Sequence, residues 1–554
     1  MIFFRPLPRF SILASGICCL CILVMSPPLL AQEAEQAIQP DAQIQTEQGA
    51  ALPGPLPGPL PGMDKIEQAW AAGDFVFVRN GLQRHAKETG TPLAQYRYGR
   101  VLLEGRGGPR DPQGAKLWLE KAAAQTHAEA SVLLARIYLS APAGSPDRDP
   151  ARAAQLFKSA AARGNGEAQY YLGLLYGNGT GVDADPQEAF TWLLAAAENG
   201  HVAGQFELSR AYARGVGVAE NAAAALRWME AAATEGHAEA QFYLAYALDQ
   251  GQGVTQNRGA ALNWLHRSAE GGFVQSQLAL GRKYLSGDGL AHNPQEALRW
   301  LEAAAQAGSV GAMAVLGRAY LGDMGIAADL RQADILLRRA SDAGHAGASY
   351  DLASLFAGQI ELGQAAVPEV DLRQALVLYR RAVDQGSEAA VLQLGRMAGR
   401  GELQGLLAPH HAVPWASVAA AAGDSGALDW LRTAARDGIR PAQTALALWM
   451  LEQPETEAAS AGQAAEWLLI ASEAGDSTAQ HHLGRLYIQG SGVEQDYVQA
   501  HKWLNIAAAG GSSAALELRA VAADLMVPEQ IAAAQEAART FFAQVQSGPQ
   551  AAQK

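Results

Sequence analysis

The residue types that most often carry reactions are few in this chain and poorly spaced for chemistry. Cysteine occurs as Cys18, Cys19 and Cys21, all in one apolar stretch near the N-terminus. A chain cut after that stretch has no thiol nucleophile, no thiolate metal site and no disulfide. Histidine occurs 12 times. His410-His411 and His481-His482 are adjacent pairs. Neighbours on a helix point in different directions, so neither pair alone makes a zinc site. No His-Glu-x-x-His is present, and no third ligand stands at a suitable spacing. His201, His237 and His345 each follow a glycine that ends a helical pattern, where exposed linker residues are expected. There is no G-x-S-x-G and no G-x-x-x-x-G-K-[ST]. Gly179-Thr180-Gly181 has the look of a phosphate loop, but no strand precedes it and no lysine follows, so it reads as a turn. These residues assign no catalytic group, no metal site and no cofactor.

One register does repeat a charge. Arg100, Arg136, Arg210, Arg282, Arg318, Arg396 and Arg485 each stand two residues after the leucine position of the first helix in a recurring pair, with Leu174, Tyr246 and Ser354 interrupting the series. A planar guanidinium grips carboxylates through paired N–H groups. The lane is therefore a candidate binding surface for an acidic segment of a protein partner or an acidic polysaccharide. The competing reading is local: each arginine pairs with a nearby acid or lays its stem on the neighbouring repeat. A second column, Trp192, Trp228, Trp264 and Trp300 with Leu336 continuing it, has two readings as well. Indoles on an alanine-rich helix are expected in the core, and an aromatic ligand ladder is the alternative.

The elements behind these columns follow from their period. Gly181, Gly217, Gly253, Gly289 and Gly325 are 36 residues apart, and so are Gly200, Gly236, Gly272, Gly308 and Gly344. Three columns in phase mark an internal repeat. In residues 167–200, a first helix A runs through Ala168 to Tyr176 and a loop spans Gly177 to Val182. Helix B then starts at Asp185-Pro186-Gln187-Glu188, which offers an N-cap, a proline at the first helical position and a reciprocal capping glutamate. The start recurs at Asn293-Pro294-Gln295-Glu296, in part at Asp111-Pro112 and Asp149-Pro150, and as Asp-x-x-Gln at Asp329, Asp371 and Asp496. Ala189, Trp192, Leu193 and Ala196 share one face of helix B, and Leu172, Leu175 and Tyr176 share one of helix A. Neither helix hides its stripe alone, whereas stacked pairs bury both.

The pattern A-x-x-x-L-G-x-x-Y-x-x-G-x-G-V, a short spacer, then A-x-x-W and A-A-x-x-G, resembles the Sel1 repeat, a variant of the tetratricopeptide repeat. It stands here at Ala168 to Gly200, Ala240 to Gly272 and Ala479 to Gly510, and covers roughly residues 92 to 512. The resemblance implies an all-α, right-handed superhelical solenoid of antiparallel helix pairs, with helix A lining a concave groove. It implies a protein–protein interaction scaffold or adaptor and no enzyme. In bacteria the family includes scaffolds of envelope assembly and polysaccharide export, and in eukaryotes adaptors of endoplasmic-reticulum degradation. Some secreted members with a cysteine pair in each repeat have been associated with β-lactams; the cysteines here do not fall that way. An envelope enzyme, such as a cell-wall or β-lactam hydrolase, is the rival reading.

Composition sets the outer bounds. Hydrophobic residues make up 49% of the 554 and aromatics 7%, with alanine dominating, as close-packed helices favour. The net charge of −13 argues against a nucleic-acid partner. Arg5 and Arg9, the apolar run Ser11 to Met25 and the small Ala31 form the pattern of a signal peptide over residues 1–31. An exported, periplasmic protein follows, with an uncleaved N-terminal anchor as the alternative. No later stretch approaches a membrane span. The expected order is a disordered Pro/Gly-rich linker at 32–62, a helical cap at 63–91, repeats at 92–387, degenerate repeats at 388–440, repeats at 441–512, a helical cap at 513–546 and a disordered tail at 547–554.

Overall fold

A computed structural model describes residues 60–547 apart from 323, 360–369 and 454–457. The expected signal peptide, most of the linker and the last residues lie outside the described part. Among the described residues there are 27 α-helices, one 3-10 turn at Pro409–His411 and no strand.

The described residues fall into two compact units that divide between Ala291 and His292. The first opens with a helical pair, Met63–Ala71 and Phe75–Glu88. Five A/B pairs follow, from Pro92–Glu104 with Pro112–Ala124 to Ala238–Gln250 with Arg258–Glu270, and helix A Val274–Ser286 ends the unit. In each pair A packs on B, and B packs on the next A.

The caps are built as the local sequence dictates. Asp111, Asp149 and Asp185 each accept a backbone N–H of the helix B they precede, with proline at its first position. Asn221 and Asn257 do the same at the next two B helices. The second loop glycine has a different task. Gly181 (φ 74°) and Gly217 (φ 72°) lie against the first turn of the preceding B helix, where a Cβ would come within 2.2 Å of the Pro150 carbonyl and 1.9 Å of the Pro186 carbonyl. Only glycine combines the left-handed backbone with that close approach.

The second unit holds helix Pro294–Gln306 and then the pairs Val310–Ala319 with Leu330–Asp342 and Ala346–Phe356 with Leu372–Asp384. Glu388–Gly399 pairs with a shortened B helix, Val413–Ala421. One further helix, Ser425–Arg436, packs on both of these and on the next A helix, Arg440–Glu452. The stretch 388–440 is thus helical but out of step. Regular pairing returns with Arg440–Glu452 and Ala458–Glu473, then Ser477–Gln489 and Tyr497–Ala509. Helix Ser513–Asp524 follows in the A position. The last helix, Pro528–Ser547, turns back onto Tyr497–Ala509, and the Phe541 ring meets the Trp503 ring edge-on at 5.4 Å.

Candidate functional site

The arginine lane lies on the A helices, and most of its members have found acids. In the first unit, Arg100 Nε donates to Glu104 Oε1 at 2.6 Å, one turn along its own helix. Arg136 Nη1 donates to Glu167 at 3.3 Å, in the first turn of the next A helix. Arg210 is buried, 5% exposed, and its Nη1 donates to the equally buried Glu207 at 2.8 Å. Arg282 is exposed and has no acidic oxygen within 4.0 Å among the described residues. In the second unit, Arg318 pairs with Asp351 at 3.4 Å and Arg396 with Asp424 at 3.7 Å, each time across to a following helix. Among the described residues Arg485 has no acid within 4.0 Å, and its buried Nε has no hydrogen-bond acceptor. So three of the seven, Arg136, Arg318 and Arg396, form ionic links to a neighbouring repeat, and Arg100 and Arg210 pair within their own helix. Arg100, Arg282, Arg318 and Arg396 keep exposed guanidiniums, Arg136 and Arg485 are half-buried, and Arg210 is closed off.

The histidines after the helix-ending glycines are not exposed linkers. His201, His237 and His345, together with His127 after Thr126, are the N-caps of their A helices, each accepting a backbone N–H at Nδ1 over 3.1–3.3 Å. At this position an imidazole nitrogen does the work of a serine or aspartate oxygen. Three of the rings also stack on an aromatic ring of the preceding A helix: His127 on Tyr96 at 4.9 Å, His201 on Tyr170 at 4.6 Å and His237 on Phe206 at 4.5 Å. Burial holds the His201 imidazole below its ordinary value. Burial, reinforced by the charge of His201, pushes His237 down to about 4.

Sequence reasoning also passed over a glutamine at fixed register. Gln169, Gln241, Gln277, Gln443 and Gln480 each donate Nε2 to a carbonyl near the end of the preceding B helix, at 2.9–3.2 Å. These carbonyls belong to the last turn, which lacks helical donors. A glutamine at the fourth residue of helix A was the available signal.

The tryptophans are less uniformly buried than a core column requires. Trp192, Trp228 and Trp264 are half-buried, whereas Trp300 and Trp503 are 5% and 2% exposed. Cations lie over several rings: Arg227 at 5.5 Å from Trp228, Arg267 at 5.0 Å from Trp264 and Lys502 at 4.3 Å from Trp503. Lys502 also lines an open groove of about 700 Å³ with Glu473, Tyr487, Val493 and Glu494, and its desolvation lowers its pKa. The His410 and His411 rings are 4.0 Å apart and tilted, and those of His481 and His482 are 5.0 Å apart and nearly perpendicular. Among the described residues no three His, Cys, Asp or Glu side chains are placed to share a metal ion.

With this geometry in hand, comparison with known proteins is direct. The family model described as "Sel1 repeat" matches residues 92–127, 128–165, 166–201, 202–237, 238–273, 274–309, 310–345, 347–387, 440–476 and 477–512. The gap between the last two matches and the rest is the out-of-step stretch. No curated protein matches the sequence. Among solved structures, a protective antigen of uropathogenic Escherichia coli displaying an SLR fold is 28% identical, with 84% of this chain and 94% of that chain covered and a TM-score of 0.54. A Sel1 repeat protein from Oxalobacter formigenes is 29% identical over 44% of this chain and 100% of its own, with a TM-score of 0.41.

Proposed function

Because this chain belongs to the Sel1 repeat family, whose members generally mediate protein–protein interactions and are generally not enzymes, we propose that it is an interaction scaffold of the bacterial cell envelope. On this reading residues 1–31 direct export, the mature chain works in the periplasm, and protein partners bind along the A-helix face. Among the described residues no helix is long and apolar enough to cross a membrane.

The observation that carries the reading is the repetition of an exposed guanidinium at one register of separate A helices. Arg318 and Arg396 each have side chains 51% exposed, and Arg282 is exposed with no acidic oxygen within 4.0 Å among the described residues. An enzyme needs different groups converging on one point. Within the second unit, one group repeated at the same register of separate A helices suits an extended partner instead. Arg210 has no part in it, because its guanidinium is closed off with Glu207.

The test is capture from envelope extract with the tagged mature protein. A partner recovered in stoichiometric amount by wild type, and lost from the double variant Arg282→Glu, Arg318→Glu with its helicity and melting unchanged, supports the scaffold. A double variant that keeps its partner moves the binding surface elsewhere. Turnover of cell-wall material by the pure protein would replace the proposal with the enzymatic one.

A further inference from the structure

Arg485 differs from the other lane arginines of its unit, and the difference can be traced to three positions on the next helix. Arginines of the lane draw their inter-repeat acids from three registers of the following helix: the N-cap, as Asp424; the second residue, as Glu167; and the sixth, as Asp351. After Arg485 these registers hold Ser512, Ala514 and Leu518. The Ser512 hydroxyl is already used to cap Ala515. No acid of the chain reaches the guanidinium within 4.0 Å among the described residues, although Glu517 stands exposed on the same helix.

Among the described residues no acid stands beside Arg485, and two imidazoles do. His481 and His482 lie four and three residues earlier, on the same helical face. Their Nδ1 atoms, like Arg485 Nε, are buried with no hydrogen-bond partner. Burial and the positive charge of Arg485 lower both imidazoles, His482 to about 4, so the cluster's charge is carried by the arginine. An acceptor-only group with negative charge is what the half-buried guanidinium can take up, and a carboxylate matches its fork.

The next lane position is apolar. Val521 stands on helix Ser513–Asp524 where Arg485 stands on Ser477–Gln489. Val521, Leu516 and Leu525 are 49%, 47% and 55% exposed. Capping helices of a repeat array ordinarily turn a polar face outwards. This one does not, and the final helix packs on Tyr497–Ala509 instead of covering it.

We infer that Arg485 and Val521 together form a docking point for a segment of a partner protein that bears an aspartate or glutamate side chain beside an aliphatic one. The inference rests on the scaffold reading and assigns the chemistry of its partner at this end of the second unit. The carboxylate would take the place that Asp351 and Asp424 fill for Arg318 and Arg396. The aliphatic side chain would cover the exposed isopropyl group of Val521.

The test uses an acetylated, amidated peptide of alternating glutamate and leucine, labelled for fluorescence anisotropy, with the full mature protein. Glutamine-for-glutamate and serine-for-leucine peptides are the comparisons. The expected result is that Arg485→Gln weakens the acidic peptide about tenfold or more, as loss of a charge-assisted pair implies, and leaves the glutamine peptide unaffected. Arg485→Lys should recover part of the loss, and Val521→Ser should weaken only the leucine-bearing peptides. Wild-type binding should fall with added salt. The melting of Arg485→Gln should match wild type, and Arg299→Gln, which changes an exposed arginine on the B helix Pro294–Gln306, should bind the peptide as wild type does. Equal binding of acidic and glutamine peptides, or unchanged binding by Arg485→Gln, overturns the inference. In that case recovery of the envelope partner by wild type, with loss only on changing Arg282 and Arg318, would leave the scaffold reading standing.

Discussion

Acid should open the joint between the A helices Val202–Arg214 and Ala238–Gln250 before it unfolds the rest of the first unit. The perturbation is a fall in pH from 7 to 4. At neutral pH His237 Nδ1 accepts the Ala240 N–H at 3.2 Å while its ring stacks on Phe206. A protonated imidazole can do neither well, since both ring nitrogens become donors and a cation then sits at the positive end of the helix dipole. The folded value is about 4, below the ordinary 6.5. The unfolded chain therefore takes up the proton first as pH falls, so the stability is fully present above about 6.5 and is lost as pH drops towards 4. At about 1.4 kcal/mol per pH unit, the full loss at this one cap is roughly 3 kcal/mol. The control is His237→Asn, since Asn165 already caps the corresponding helix through its side chain and does not titrate. Hydrogen exchange at the amides of Ala240 and its neighbours, followed across pH 4–7 at matched intrinsic rates, reads the joint directly. Wild type should lose protection as pH falls, and His237→Asn should lose much less. Identical pH profiles for the two proteins would refute the reasoning.

Three other outcomes are expected. Arg210→Ala should cost about 3–5 kcal/mol in urea unfolding, because it leaves the buried Glu207 carboxylate without its arginine, whereas Arg282→Ala should stay within roughly 0.5 kcal/mol. Trp503→Ala should cost about 3–5 kcal/mol, and the half-buried Trp264→Ala roughly half as much; the reverse order would mean that the indole column is not graded by burial. Mass spectrometry of the protein from its envelope fraction should find an N-terminus near Gln32, and an intact Met1 would support the anchored alternative instead.

What could be read from the residues in order was whatever depends on near neighbours in the chain. The Asp-Pro starts of helix B and the period of the loop glycines are such features, because caps and positive-φ turns are settled within a few residues. The side-chain partners of the site were hidden for the opposite reason. His201 looked like a linker residue because the ring it stacks on, Tyr170, lies a full repeat earlier. The acid for Arg136 lies 31 residues ahead. Helix Ser425–Arg436 was obscured because the glycine and tryptophan columns lapse there, although Asp424 caps it in the ordinary way. The return of the last helix onto Tyr497–Ala509 depends on Phe541 meeting Trp503, a contact with no counterpart in the repeats.

Several of the links between repeats reach about one period along the chain. Gly181 rests on Pro150, Gly217 on Pro186, and Glu167 answers Arg136. A unit of 36 residues therefore carries half of each joint at either end. Duplicating or excising a whole unit regenerates both halves, and no new interface has to be invented. Adding or losing a few residues inside helix A or its loop would misplace the glycine, the cap and the arginine together. Such a chain can change its length by unequal recombination much more safely than by small insertions, and its number of repeats is open to adjustment while the geometry of each joint is not.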